Sequence, residues 1–223
     1  MIRQLVLELG HRPASGRDDF LVAPPNEAAV ALIDSWPNWP DRIVALVGPE
    51  GSGKTHLAEV WRAASGAVTV TPAELDTAGI PALVARGNLI LEDLDALEGE
   101  GERALFHLVN LVRAEGASLL ITSRVPIARL PLTLPDLVSR LRAVPQAELG
   151  PPDDALLAGI LVKLFDDRQL RVTPQVVASL ASRMERSVAV ARDIVAQLDR
   201  ASLSGKRPVT VPLAAEILER GES

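Results

Sequence analysis

Short apolar runs alternate with helical apolar stripes along residues 24–150. The runs lie at residues 43–47, 67–70, 88–91, 118–122 and 143–147, and those at 43–47 and 88–91 are typical of strands buried on both faces. Between the runs, apolar side chains recur at helical spacing, for example at Leu105, Leu108 and Val112. Strands that alternate with helices predict an α/β fold with a parallel five-stranded sheet.

Capping residues mark two of the predicted helix starts. Asn26 precedes an apolar stripe that Pro37 ends, so we expect Asn26 to act as an N-cap. Thr71, Pro72 and Glu74 have the spacing of a capping box with proline in the first turn. This pattern predicts a helix that begins directly after the second strand.

The character of the chain changes after Gly150. Residues 153–220 contain no strand pattern, and helices are predicted to begin near Thr173, Ser187 and Thr210. We therefore expect an N-terminal segment at residues 1–23, an α/β core at 24–150 and a small all-helical domain at 151–223.

Composition excludes several classes of function. Of the 223 residues, 48% are apolar, which is ample for a core, and no apolar run is long enough to cross a membrane. The net charge of −6 and the scarcity of aromatic residues predict little direct DNA binding. The absence of cysteine excludes disulfides and thiolate metal sites and fits a cytoplasmic protein.

A glycine-rich loop stands between the first predicted strand and a helix. It reads GPEGSGKT and comprises Gly48, Pro49, Glu50, Gly51, Ser52, Gly53, Lys54 and Thr55, with His56 next. A loop of this pattern in this context binds nucleoside phosphates through backbone N–H groups and the helix N-terminus. We expect ADP or ATP here, with Lys54 on the phosphates and the Thr55 hydroxyl on Mg²⁺.

A carboxylate pair follows the strand at residues 88–91. Glu92 is expected to serve as the carboxylate on the Mg²⁺ side, and Asp93 to polarise an attacking water. Most motifs of this kind have Asp where Glu92 stands, so hydrolysis by this chain alone is expected to be weak or absent. The alternative is that Asp93 and Asp95 form only a solvated helix start.

The core, the helical tail and these motifs resemble AAA+ proteins, in which the tail is the lid domain. Thr122 and Ser123 end a strand as the sensor-1 residues of that family do. Arg140, in LPDLVSRL, resembles the arginine finger that DnaA-type proteins offer to a neighbour's ATP. Arg192 matches the sensor-2 arginine of the lid. Spacing alone leaves open a surface ion pair between Arg140 and Asp136.

The N-terminal residues Gln4, Leu5, Leu7 and Leu9 resemble the motif that docks on the DNA polymerase III β sliding clamp. An edge strand gives the same alternation. With a DnaA-like core, and no DNA-binding domain expected after residue 223, the chain resembles the Hda (HdaA) family. The resemblance implies that the protein docks on the clamp and stimulates hydrolysis of the ATP bound to DnaA, which prevents re-initiation of DNA replication. Whether the chain forms a homodimer is left open.

Three other readings share the same core. The first is a helicase loader or transposition helper that acts directly on DNA, which should bind single-stranded DNA in a salt-sensitive way. The second is an initiator without its tail, which should assemble on ATP. The third is a small-molecule kinase, against which the helical tail with Arg192 counts weakly.

Overall fold

The computed structural model describes residues 20–99, 101–205 and 207–221. The predicted clamp-binding residues Gln4, Leu5, Leu7 and Leu9 lie outside these ranges.

Five parallel strands form one sheet in the order β2-β3-β4-β1-β5. The strands are β1 (Ile43–Val47), β2 (Val68–Val70), β3 (Leu89–Leu91), β4 (Leu119–Ser123) and β5 (Gln146–Glu148). The predicted α/β class and strand number are therefore confirmed. β5 begins later than predicted because Val144 still donates a helical hydrogen bond to the Leu141 carbonyl.

Among the residues that the structure describes, five α-helices accompany the sheet in the core. They are α1 (Glu27–Asp34), α2 (Lys54–Ser65), α3 (Ile80–Val84), α4 (Gly101–Glu115) and α5 (Pro135–Arg142). Successive strand residues point to opposite faces, so each face has its own apolar cluster. Leu89 and Leu91 pack with α4, whereas Ile90 packs with Leu57 and Trp61 of α2.

The described residues of the C-terminal part form four helices with a separate apolar core. They are α6 (Asp154–Asp167), α7 (Pro174–Arg183), α8 (Val188–Gly205) and α9 (Val211–Gly221). Their buried side chains include Leu157, Phe165, Leu180 and Leu198. The predicted all-helical lid is confirmed. No helix within the described ranges is long and apolar enough to cross a membrane.

Two predicted helix starts are wrong in detail. The Asn26 side chain does not cap α1; its Oδ1 accepts from the Ala23 N–H and its Nδ2 donates to the Leu21 carbonyl. The Glu74 carboxylate does accept from the N–H and hydroxyl of Thr71, but only one 3-10 turn (Pro72–Glu74) follows. A helix continuing through this region would place Pro81 in its interior, whereas α3 holds it in the first turn.

Candidate nucleotide-binding site

The glycine-rich loop joins β1 to α2 at the carboxyl edge of the sheet. The Gly48 N–H donates to the Ser123 carbonyl at 3.1 Å, which fixes the start of the loop to the end of β4. Gly51 and Gly53 have φ values of 72° and 102°, a region that disfavours side chains. The loop therefore turns sharply and brings its backbone to the N-terminus of α2, where an anion is favoured.

The Lys54 ammonium is buried within the loop. Its Nζ donates to the carbonyls of Gly48 at 2.7 Å and Pro49 at 2.9 Å, and the residue is 7% exposed. Burial lowers the pKa of Lys54, while the negative charges of Asp93 and Asp95 oppose that shift. The loop thus holds a desolvated cation for which anionic oxygens are the stronger partners.

Glu92 and Thr55 lie together next to the loop. The Thr55 side chain hydrogen-bonds the Glu92 carboxylate, and burial of that carboxylate raises its pKa. These are the two predicted Mg²⁺ ligands, so the structure brings them into contact. Within the described ranges no group of three or more His, Asp or Glu side chains is arranged to hold a metal, so a cation here would need ligands from water or phosphate as well.

The sensor-1 candidates and Asp93 meet at the ends of β4 and β3. Thr122 and Ser123 are both buried. Thr122 Oγ1 accepts from the Asp93 N–H at 3.0 Å, and Ser123 Oγ donates to the Val125 carbonyl at 2.7 Å. Asp93 has a left-handed backbone (φ 52°) and an exposed side chain in the phosphate cleft. Thr122 is therefore hydrogen-bonded to Asp93, which lines the cleft.

A cleft of about 230 Å³, here called the phosphate cleft, opens in front of the loop. Its lining carries both charge signs and comprises Glu50, Gly51, Gly53, Lys54, Thr55, His56, Asp93, Arg124, Val188, Ala189 and Arg192. Loop, strand ends and α8 thus converge on one space. Arg124 was not predicted from the sequence, because its neighbours in the cleft are distant along the chain.

A second pocket, of about 260 Å³ and largely apolar, adjoins the phosphate cleft and shares Gly53, His56, Val188 and Arg192 with it. Its other walls come from residues 20–26 and from α6, where Leu156, Ile160 and Leu164 line it. The sequence reasoning missed this pocket. The spacing of four between the α6 residues was the available signal, because it puts them on one face of a helix.

The start of α8 touches the loop directly. The Val188 N–H donates to the Gly51 carbonyl at 2.9 Å. Farther along the same helix, Arg192 Nη2 lies 2.6 Å from His56 Nδ1. Arginine has only donors, so this imidazole nitrogen is the acceptor. The lid is thereby connected to the middle of the glycine-rich loop and to the residue that follows it.

One buried polar atom favours a phosphate ligand at the loop. Ser52 Oγ is buried and has no hydrogen-bond partner among the described residues. Buried hydroxyls are normally satisfied by protein, water or ligand. Together with Lys54 and the N-terminus of α2, this unsatisfied donor gives the loop the chemistry that a nucleoside di- or triphosphate requires.

Arg140 lies apart from this cleft. It is exposed in the last turn of α5, and its Cζ lies 5.4 Å from the centre of the Phe106 ring. Within the described ranges it makes no ion pair with Asp136, so that interpretation is not supported. The start of α5 is held by Glu102, whose carboxylate accepts from the N–H groups of Thr133 and Leu134.

Comparisons with known proteins agree with the fold of the core and with the helical lid. The family model described as the Hda lid domain matches residues 154–218. A protein of Haemophilus influenzae is 30% identical over 183 residues, which cover 77% of this chain and 79% of that protein.

Two solved structures share the fold. Domain III of the replication initiation protein DnaA from Thermotoga maritima has a TM-score of 0.79 at 20% identity, over 94% of this chain and 98% of that one. AMPPCP-bound DnaA from Aquifex aeolicus has a TM-score of 0.67 at 17% identity, over 83% of this chain and 65% of that one. The match to the Hda lid domain and the fold shared with DnaA together identify this chain as a Hda-like, DnaA-related AAA+ protein.

Proposed function

We propose that this chain is a nucleotide-binding regulator of bacterial replication initiation. In this proposal it holds ADP or ATP and promotes hydrolysis of the ATP bound to DnaA. The observation that carries the nucleotide part is the phosphate cleft, where the glycine-rich loop, the buried Lys54 and the lid helix α8 converge.

The residues of the cleft have complementary tasks. A bound nucleotide supplies anionic phosphate oxygens, and Lys54, the Ser52 hydroxyl and the backbone of the loop are their donors. Thr55 and Glu92 would hold Mg²⁺, with the remaining positions left to water and phosphate. Arg192 brings a cation from the lid, so nucleotide binding favours the arrangement in which α8 contacts the glycine-rich loop.

Nucleotide binding is tested by titrating the purified chain with ADP and with ATP in the presence of Mg²⁺. Lys54→Ala is expected to weaken both by at least about tenfold, because a charge-assisted contact is lost. Arg62→Ala removes an exposed cation from the same helix α2 and serves as the matched control. Equal affinities of the parent and Lys54→Ala would contradict the assignment of the loop.

The proposed partner is DnaA, and Arg140 is the proposed arginine finger. Its guanidinium is exposed, rests on Phe106 and does not line the chain's own phosphate cleft among the described residues. Such a group is available to a nucleotide held by another protein. Supplied in trans, an arginine accelerates phosphoryl transfer by about 10³–10⁵-fold.

The DNA polymerase III β sliding clamp is the second proposed partner. Support for it is the N-terminal motif with Gln4, Leu5, Leu7 and Leu9, in which an amide and alternating leucines suit a polar niche beside an apolar groove. Docking on the clamp would bring the regulator to DNA that has just been replicated.

Hydrolysis of DnaA-bound ATP in the presence of clamp-loaded DNA tests both partners. Arg140→Ala should abolish the stimulation while nucleotide binding by this chain is kept. Gln4→Ala should abolish the part of the stimulation that requires the clamp. Arg142→Ala is the control, because Arg142 is an exposed arginine on the same helix. Unchanged hydrolysis with Arg140→Ala would refute the finger.

A further inference from the structure

Arg124 is a third cation of the phosphate cleft that neither the loop motif nor the sensor residues include. It follows directly after β4, and it lines the cleft with Lys54 and Arg192. Its side chain is 51% exposed, so it is accessible to a ligand in the cleft.

Asp95 fixes the position of Arg124. The Asp95 Oδ1 accepts from the Arg124 backbone N–H at 2.7 Å, and its Oδ2 lies 3.6 Å from Arg124 Nε. Asp95 is more enclosed, with a side chain 20% exposed. Asp95 therefore holds the backbone and the Nε of Arg124, and the terminal nitrogens of the guanidinium are left for another partner.

The outer partner of Arg124 is Glu50 of the glycine-rich loop. Arg124 Nη1 lies 3.3 Å from Glu50 Oε2, and the Glu50 side chain is 79% exposed. An ion pair this exposed is weakly held. Both charges act on the Lys54 ammonium, which shows that the pair lies within electrostatic range of the phosphate-binding lysine.

We propose that Arg124 leaves the Glu50 carboxylate and binds the terminal phosphate of a nucleoside triphosphate instead. The Arg124–Glu50 ion pair thereby sets the relative affinity of the site for triphosphate and diphosphate. A terminal phosphate, which offers several oxygens and a higher negative charge, is a better partner for the planar guanidinium than one exposed carboxylate. A diphosphate leaves Arg124 with Glu50. This inference rests on the proposed nucleotide binding.

Equilibrium titration with Mg²⁺ and either ADP or AMPPCP, an analogue with a non-hydrolysable terminal phosphate, tests the exchange. Arg124→Gln should weaken AMPPCP binding by about tenfold and ADP binding by less than about twofold. Glu50→Gln should strengthen AMPPCP binding relative to ADP, because a competing carboxylate is removed. In the Arg124→Gln background the Glu50 change should have no such effect.

The matched control is Arg129→Gln, which removes an exposed arginine that does not line the cleft. Thermal melting of each variant reports folding separately. An equal loss for both nucleotides, or none, with Arg124→Gln overturns the exchange while leaving nucleotide binding intact. Absence of binding in the parent protein, by contrast, removes the proposed function itself.

Discussion

Gly51 and Ser187 touch so closely that a Cβ on Gly51 would lie 2.0 Å from Ser187 Oγ. Ser187 immediately precedes α8, whose first residue Val188 donates to the Gly51 carbonyl. The phosphate loop and the lid therefore meet backbone to backbone at this point. A change in the loop is transmitted to the lid through contacts that leave no room for adjustment.

Gly51→Ala tests this junction. Gly51 has φ 72°, so alanine adds backbone strain as well as the collision with Ser187, and we expect a loss of about 2–4 kcal/mol in the free energy of unfolding. Gly66→Ala is the matched control, because Gly66 also has a positive φ (67°) but nothing within 4 Å of an added Cβ. Urea denaturation of both variants measures the difference; equal losses would show that strain alone matters.

Arg192→Ala separates the lid's contribution to nucleotide binding. We expect ADP and ATP to bind about tenfold more weakly, because a charged donor near His56 is removed from the cleft. Arg200→Ala removes an exposed arginine farther along α8 and should leave the affinity unchanged. Isothermal titration provides both values, and an equal effect of the two changes would point to a general charge effect.

Glu102 makes the attachment of α5 pH-dependent. Burial tends to raise the pKa of Glu102, but hydrogen bonds from Thr133 and Leu134 outweigh it and leave the pKa below the ordinary value of 4.5. A carboxyl with a depressed pKa stabilises the folded state above its unfolded pKa, and this contribution disappears as the pH falls through the folded pKa.

The free energy of unfolding of the parent and of Glu102→Gln should therefore differ most near neutral pH and converge as the pH falls through the lowered pKa of Glu102. Urea denaturation at a series of pH values measures the two curves. A difference that is independent of pH would mean that the ionised carboxylate is not what holds α5, the helix that carries Arg140.

Substitutions at Trp61 test the stability of the apolar cluster between α2 and the sheet. It is fully buried, stacks on Trp39 at 4.8 Å between ring centroids, and its Nε1 has no partner among the described residues. Trp61→Ala should cost about 3–5 kcal/mol through the cavity it leaves. Trp61→Phe should cost about 1–2 kcal/mol, because no indole hydrogen bond is broken. If the two variants lose similar amounts of unfolding free energy in thermal or urea unfolding, the indole N–H has a hydrogen-bond partner.

Local patterns predicted the elements well. The inner strands β1, β3 and β4 are short, mostly apolar runs that are buried throughout, because a strand inside a parallel sheet must be apolar on both faces. The glycine-rich loop was predictable because its conformation depends on neighbouring residues and on Gly51 and Gly53. The lid helices that begin at Pro174 and Val188 follow from signals within a few positions.

The sequence by itself determined the α/β core, the phosphate loop and the helical lid, because each depends on interactions between residues close along the chain. Only the tertiary structure decided what surrounds the loop. Arg192 contacts His56 across 136 positions, and Arg124 contacts Glu50 and Asp95. Such contacts depend on the order of the strands and the docking of the lid, which no local pattern encodes.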